Sequence, residues 1–418
     1  MGSTVSAMGI RGVRMSAARL ALVATLALTI FAAVPSPASA TWWGQFDVQD
    51  PTVSPGYADT AITDDGTATV VWTESTGGVD RVRASRFAPN SDTAVDLGYI
   101  SPPTGDASDA HVAVNSEGAA LIVWERDGGP NQQIEAASID ATSTTPLQLG
   151  TVSTGFDAID PQIAASKTPD FTIVWSEQLT APKFYAMGQR FLATGPAGLA
   201  LPLATGYVAD DETGPVVAVD EVGVSKIAWQ LNDSGNTSVQ TTTLSQVDTL
   251  SPQLQVSSSQ VTSAPVIAST STSVGVIVWS EVAFPNDRIA AATVNASGTS
   301  TTPLGHISTS GIGASQPAIS VSTENSGGDT PWATAAWVQD SGPSSNVFAT
   351  AWELGTTPAT GLQMSDGGNG YSVPAVVTGR ANAGATIAWR SDVSGSYAPI
   401  QSKVLPRGST GPSTTYEL

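Results

Sequence analysis

In a chain of 418 residues, the side chains whose types and spacing could do chemistry are carboxylates that recur beside short apolar runs. Asp59, Asp109 and Asp160 each stand at the start of such a run, with Asp106, Asp157, Asp210, Asp211 and Glu212 just upstream of this position. A second set follows a tryptophan: Glu74, Glu125, Asp127, Glu177, Glu281, Asp340 and Asp392. Carboxylates brought together have three readings. They can hold a hard cation such as Ca²⁺, which takes roughly six to eight oxygens. They can raise one another's pKa and supply a general acid and base for glycosidic chemistry. They can also be the solvated loop ends of an acidic protein. No D-x-D-x-D-G spacing occurs, so the cation reading rests on Asp59, Asp109 and Asp160 converging in space.

His111, beside Asp109, joins the candidate ligand-binding set of Asp59, Asp109, Asp160, Glu74, Glu125 and Glu177. A Ser-His-Asp triad would need His111 or His306, the two histidines of the chain, next to an exposed serine. A lone histidine at that place reads more simply as a hydrogen-bonded structural residue. His306 stands where other copies have Tyr99 or Thr151, which reads as surface. Without Cys, thiol catalysis, cysteine zinc sites and iron–sulfur clusters are excluded, and no G-x-S-x-G, H-E-x-x-H, phosphate loop or dinucleotide fingerprint is present. Glu74, Glu177 and Glu281 stand two residues after a Trp, as in an aromatic-plus-acid sugar site, yet Arg126, Leu231, Gln339 and Ser391 fill that place in the other copies.

These acids are positioned by a repeat. An apolar run ending in Trp recurs seven times, at Trp72, Trp124, Trp175, Trp229, Trp279, Trp337 and Trp389, with spacings of 52, 51, 54, 50, 58 and 52. Between 10 and 17 residues upstream lies a small-x-[VI]-small element led by Pro161, Pro215, Pro265, Pro317 and Pro374, with Thr60 and Ala110 read as its counterparts in the first two copies. The turn residues between the two elements, TDDG, NSEG, SKTPD and DEVG, suit tight hairpins. Two further short segments follow, the last ending LGYIS, LGTVS or LGHIS. The runs are short and β-branched, with no helical period. Four strands per unit of about 52 residues give an all-β, seven-bladed β-propeller. The blades fall roughly at 51–101, 102–153, 154–204, 205–256, 257–308, 309–365 and 366–418. The seven tryptophans then read as wedges between blades. One chain end is expected to complete a blade begun at the other, hiding a sheet edge, with Trp42 and Trp43 favoured for that seam.

The pattern P-x-[VI]-A-x-D-x-x-G-x-[AV]-x-[VA]-W resembles a repeat found in large secreted proteins of high-GC Gram-positive bacteria. That resemblance covers nearly all of 51–405 and implies a propeller without assigning chemistry. The sialidase Asp-box and WD-repeat signatures fit less well, and a copper site of the galactose-oxidase kind is impossible without Cys.

Arg11, Arg14 and Arg19 precede an apolar run over 20–34 and a small-residue site ending at Ala40, so 1–40 reads as a signal peptide and 41–418 as a single exported domain. The net charge is −20, and −23 once that segment is removed. This excludes nucleic acid and anionic membrane surfaces as partners. It suits cations, solubility, or an extracellular protein or glycan ligand. The reading is a secreted monomer that binds or scaffolds outside the cell. A glycan-active hydrolase or lyase using the carboxylates, or a lectin, is the alternative.

Overall fold

The computed structural model describes residues 55–417 apart from 90, 92, 155, 181, 205–210, 323–329, 342–343, 366–370, 379–384, 392–399 and 406–415. The signal-peptide segment, Trp42, Trp43, Asp210 and Asp392 lie outside the described residues.

β-Branched runs punctuated by Asp, Asn and Gly fold as successive antiparallel hairpins. Asn115 shows the turn chemistry: its Oδ1 accepts the N–H groups of Glu117 and Ala119, both at 3.0 Å. Gly118 closes that turn at φ 77°, a left-handed conformation that suits glycine. The described residues form seven sheets, each from one continuous stretch of chain, with four strands in six of them and five in the third. The first strands of successive sheets pack side by side. This is the arrangement of a β-propeller.

The core is divided among the sheet-to-sheet contacts, with a separate apolar cluster between each consecutive pair. Trp124 belongs to the cluster shared with the first sheet, Trp175 to the one shared with the second, and Trp229, Trp279, Trp337 and Trp389 continue the series. Each of these indoles therefore faces the preceding sheet. All seven tryptophans are at most 3% exposed. The fourth strand of the last sheet, Tyr416–Glu417, pairs with Gln401 and Ser402 of that same sheet. The expectation that one chain end completes a blade from the other is thus corrected for the described strands: this edge is covered from within its own repeat.

The first strand of each sheet carries the register that matters for the site. In the second sheet it is Ala107–Val114, in the third Ala158–Ala165, and each has a bulge opposite the Trp. Asp109 at φ 47°, Asp160 at φ 54°, Gly214 at φ 56° and Gln316 at φ 53° occupy equivalent left-handed positions. Their recurrence marks this strain as a feature of the fold rather than of one site.

Candidate functional site

The first strand and the end of the Trp strand meet at one end of each sheet, since Ser108 pairs with Glu125 and Ala107 with Arg126. At that end of the first three sheets the structure assembles Asp59, Asp109, His111, Glu125, Asp160 and Gln162.

Asp59 is not where the repeat spacing puts it. It pairs with Val71, whereas His111 pairs with Val123 and Gln162 with Val174. Asp59 is therefore the counterpart of His111 and Gln162, and Ala58, not Thr60, is the counterpart of Ala110 and Pro161. The physical reason is that the first sheet carries its bulge between Pro55 and Ala58, so hairpin length fixes the register and a matching Thr does not.

The consequence is a line of polar side chains across three sheets. His111 Nδ1 lies 3.2 Å from Asp59 Oδ2, and the Val112 N–H donates to that same oxygen at 3.1 Å. His111 Nε2 lies 2.8 Å from Gln162 Nε2 and 3.5 Å from Asp109 Oδ1. The imidazole is 7% exposed, so burial works against its charge. Hydrogen bonds to Asp109 and Asp59 outweigh that penalty and raise its pKa to about 9. Its Nε2 then carries a proton, and Gln162 must turn its amide oxygen toward it.

Glu125 closes the group. Its Oε1 accepts the Asp160 N–H at 2.8 Å, and the Ser108 hydroxyl donates to Oε2 at 3.3 Å. Burial raises the Glu125 pKa, opposed by the Asp160 N–H and reinforced by the charges of Asp109 and Asp160. Burial likewise raises the Asp160 pKa, opposed by the Gly214 N–H that its carboxylate accepts and reinforced by Asp109. Two carboxyls here hold protons above the usual carboxylate range.

Asp59, Asp109 and Asp160 do not assemble as a cation-binding trio. Among the described residues, no group of three or more His, Asp or Glu is placed to hold a metal ion, so the Ca²⁺ expectation has no ligand cluster there. Asp59 and Asp109 converge on an imidazole instead.

Glu74 and Glu177 also leave the set. Both are at most 2% exposed, and each accepts the indole N–H of the Trp two residues before it, at 2.8 and 2.7 Å. Glu281 does the same for Trp279 at 2.6 Å, and Gln339 for Trp337 at 3.1 Å. Tyr99 and His306, read as surface positions, reach the same buried acids: Tyr99 donates to Glu74 at 2.8 Å, and His306 Nε2 lies 3.0 Å from Glu281. The apparent sugar-site pattern is indole capping.

The upstream acids tie sheets together. Asp106 accepts the Asp80 N–H, Asp157 the Gln132 N–H and Asp211 the Phe184 N–H, each from the start of the third strand of the preceding sheet, at 3.0, 3.0 and 3.2 Å. Sequence reasoning missed Gln162 and Ser108. Counting back from the hairpin turns, rather than from the Pro, would have put Gln162 level with His111.

Two cavities are relevant. One of about 560 Å³ lies between the second and third sheets beside this group, with Ser108 in its wall. A larger one, about 650 Å³, sits at the opposite ends of the strands among the hairpin turns. Its carboxylates Asp65 and Asp220 are committed to turn N–H groups, Asp220 to Val222 and Val224 and Asp65 to Thr67.

No protein-family model and no curated protein sequence matches the chain. Among solved structures it is similar to an ulvan lyase, a polysaccharide lyase, with 8% identity and a TM-score of 0.54 over 82% of this chain and 91% of that one. It is also similar to a prolyl endopeptidase, with 10% identity and a TM-score of 0.54 over 88% of this chain and 49% of that one, so it spans about half of that enzyme's length. The β-propeller domain of the trilobed protease from Pyrococcus furiosus aligns at 7% identity with a TM-score of 0.48, covering 87% of this chain and 97% of that one. At such identities the likeness concerns the fold.

Proposed function

We propose that this chain is an exported, closed seven-bladed propeller that acts on a neutral or cationic polysaccharide at the mouth formed by its first three blades. The observation that carries the reading is the joined group of Glu125, Asp109, Asp160 and His111. An acid catalyst at neutral pH needs a carboxyl whose pKa is raised, beside a carboxylate in a different setting. Glu125 fits the proton donor, its proton held by burial and by the charges of Asp109 and Asp160. Asp109, facing the His111 imidazolium, fits the base that activates water. The fold hosts polysaccharide chemistry in an ulvan lyase, which is an analogy of scaffold only. Closure of the ring is supported by Trp72, 2% exposed although it belongs to none of the six clusters between consecutive sheets.

The test is release of reducing or unsaturated ends from a panel of uncharged and amine-bearing polysaccharides. Glu125→Gln is expected to lower kcat by about a hundredfold or more while leaving the melting temperature in place. Turnover by Glu125→Gln at the level of the parent protein would sink the catalytic assignment. The second reading, a non-catalytic binding scaffold, is favoured by one specific fact. Asp59, Asp109, His111 and Glu125 are already engaged with one another or with neighbouring backbone, as a structural seam would be. Binding without turnover of any glycan would select it.

A further inference from the structure

We infer that the cleft between the second and third sheets is a subsite for a sugar ring bearing a free amine, so that the substrate of the proposed site is an amino-sugar glycan. This rests on the polysaccharide reading above and names its substrate class. The cleft's volume, about 560 Å³, falls in the roughly 300 to 1,000 Å³ range of small-molecule sites. Its walls are of two kinds. Ile159 and Phe184 give an apolar side on which the C–H face of a sugar ring can lie. Asp106, Asp127 and Asp157 supply the carboxylates of the lining, which contains no Lys or Arg.

The carboxylates are held in place. Asp106 accepts the Asp80 N–H at 3.0 Å, Asp157 the Gln132 N–H at 3.0 Å, and Asp127 the Gly129 N–H at 2.9 Å, in each case through Oδ1. Arg126, next in sequence to Asp127, is engaged by Glu135 and by the Thr104 carbonyl. Nothing in the lining therefore neutralises the three acids, and a protonated amine on the ligand is what would. The cleft is also continuous with the proposed catalytic group, because Ser108 lines it and donates to Glu125. A ring seated there places its neighbour against Glu125. An anionic uronate chain is disfavoured by the same charges.

Calorimetric titration of the full chain with oligomers of glucosamine, of N-acetylglucosamine and of glucose separates the possibilities. The glucosamine oligomer is expected to bind about tenfold tighter than the other two, a difference of about 1.4 kcal/mol, and to lose that advantage at high salt. Asp127→Asn is expected to abolish most of the preference, and Phe184→Ala to weaken all three oligomers alike. Both sites are at the surface of the cleft, and an unchanged melting temperature confirms folding. Equal affinity for the three oligomers, or full affinity in both variants, would overturn the subsite. Cleavage of an uncharged glycan without any preference for amines overturns the subsite and leaves the catalytic reading standing. Amine-selective binding without cleavage does the reverse.

Discussion

His111 is where residue-level chemistry makes its clearest statement. Asp59 and Asp109 flank it, Gln162 faces its Nε2, and its pKa rises to about 9 from an ordinary 6.5. A histidine whose folded pKa is raised contributes stability in full below the unfolded value and loses it as pH climbs through the folded one. Stability should therefore fall between about pH 6.5 and pH 9, by an amount on the order of 3 kcal/mol at most. The raised carboxyls Glu125 and Asp160 add a fall of the same sign at lower pH, just above their unfolded values. Chemical denaturation across this range, compared with His111→Gln, checks the histidine step, which should vanish in the variant. A second expectation concerns the tryptophans, whose spacing was plain in the sequence while their hydrogen-bond acceptors were not. Trp124 and Trp229 have no acceptor for the indole N–H, because Arg126 and Leu231 stand where other copies have Glu or Gln. Leu231→Gln, copying Gln339, should satisfy Trp229 and stabilise the chain by about 1 kcal/mol. An unchanged or lower denaturation midpoint would refute this account of the acceptors.

At the scale of elements, strands, hairpins and their four-fold grouping were legible because short β-branched runs ending in Trp, separated by Asp, Asn and Gly turns, encode them locally. The slip of Asp59 by two positions was not, since it depends on which residues are extruded as a bulge, a choice made by pairing across the strand. The seams between sheets were equally hidden. Arg86 shows why: its guanidinium reaches over to the second sheet and donates to the carbonyls of Asp140, Ala141 and Ser143 at 3.0, 2.6 and 3.2 Å. Ser138 makes the analogous bond to Ala193, Arg190 to Gln246 and Lys226 to Ala296, so four successive seams share one device with three different donors. A contact between residues more than 50 apart, made by whichever polar side chain reaches, leaves no repeat in the sequence. Arg86→Met keeps the apolar stem and removes the donors. It should cost about 1 to 3 kcal/mol, because a charged donor to three part-buried carbonyls is lost at once, although the Asp140 carbonyl keeps the Ser143 N–H. Amide exchange should speed up locally in 139–145, with the other seams unaffected.

At the scale of the whole molecule, the open question of the sequence, how the ring closes, becomes a question about Trp72. Six indoles each pack against the sheet before them, in clusters that the structure resolves pair by pair. Trp72 has no preceding sheet among the described residues, yet it is 2% exposed, with its indole N–H on Glu74 and Arg83 6.0 Å above its ring. Each described sheet is also built from its own stretch of chain, so a ring closed by the described strands alone is joined by side-chain packing. In a closed ring Trp72 is a wedge like any other. Trp72→Ala should then destabilise by about as much as Trp175→Ala, in the range of about 3 to 5 kcal/mol for truncating a buried Trp. In an open arc, Trp72 would be covered only by its own sheet. Its truncation would then cost far less than that of Trp175, and unfolding of the first sheet would separate from that of the rest. Paired denaturation curves for the two variants, each referenced to the parent protein, distinguish these outcomes, and a large gap between the two costs would reject closure.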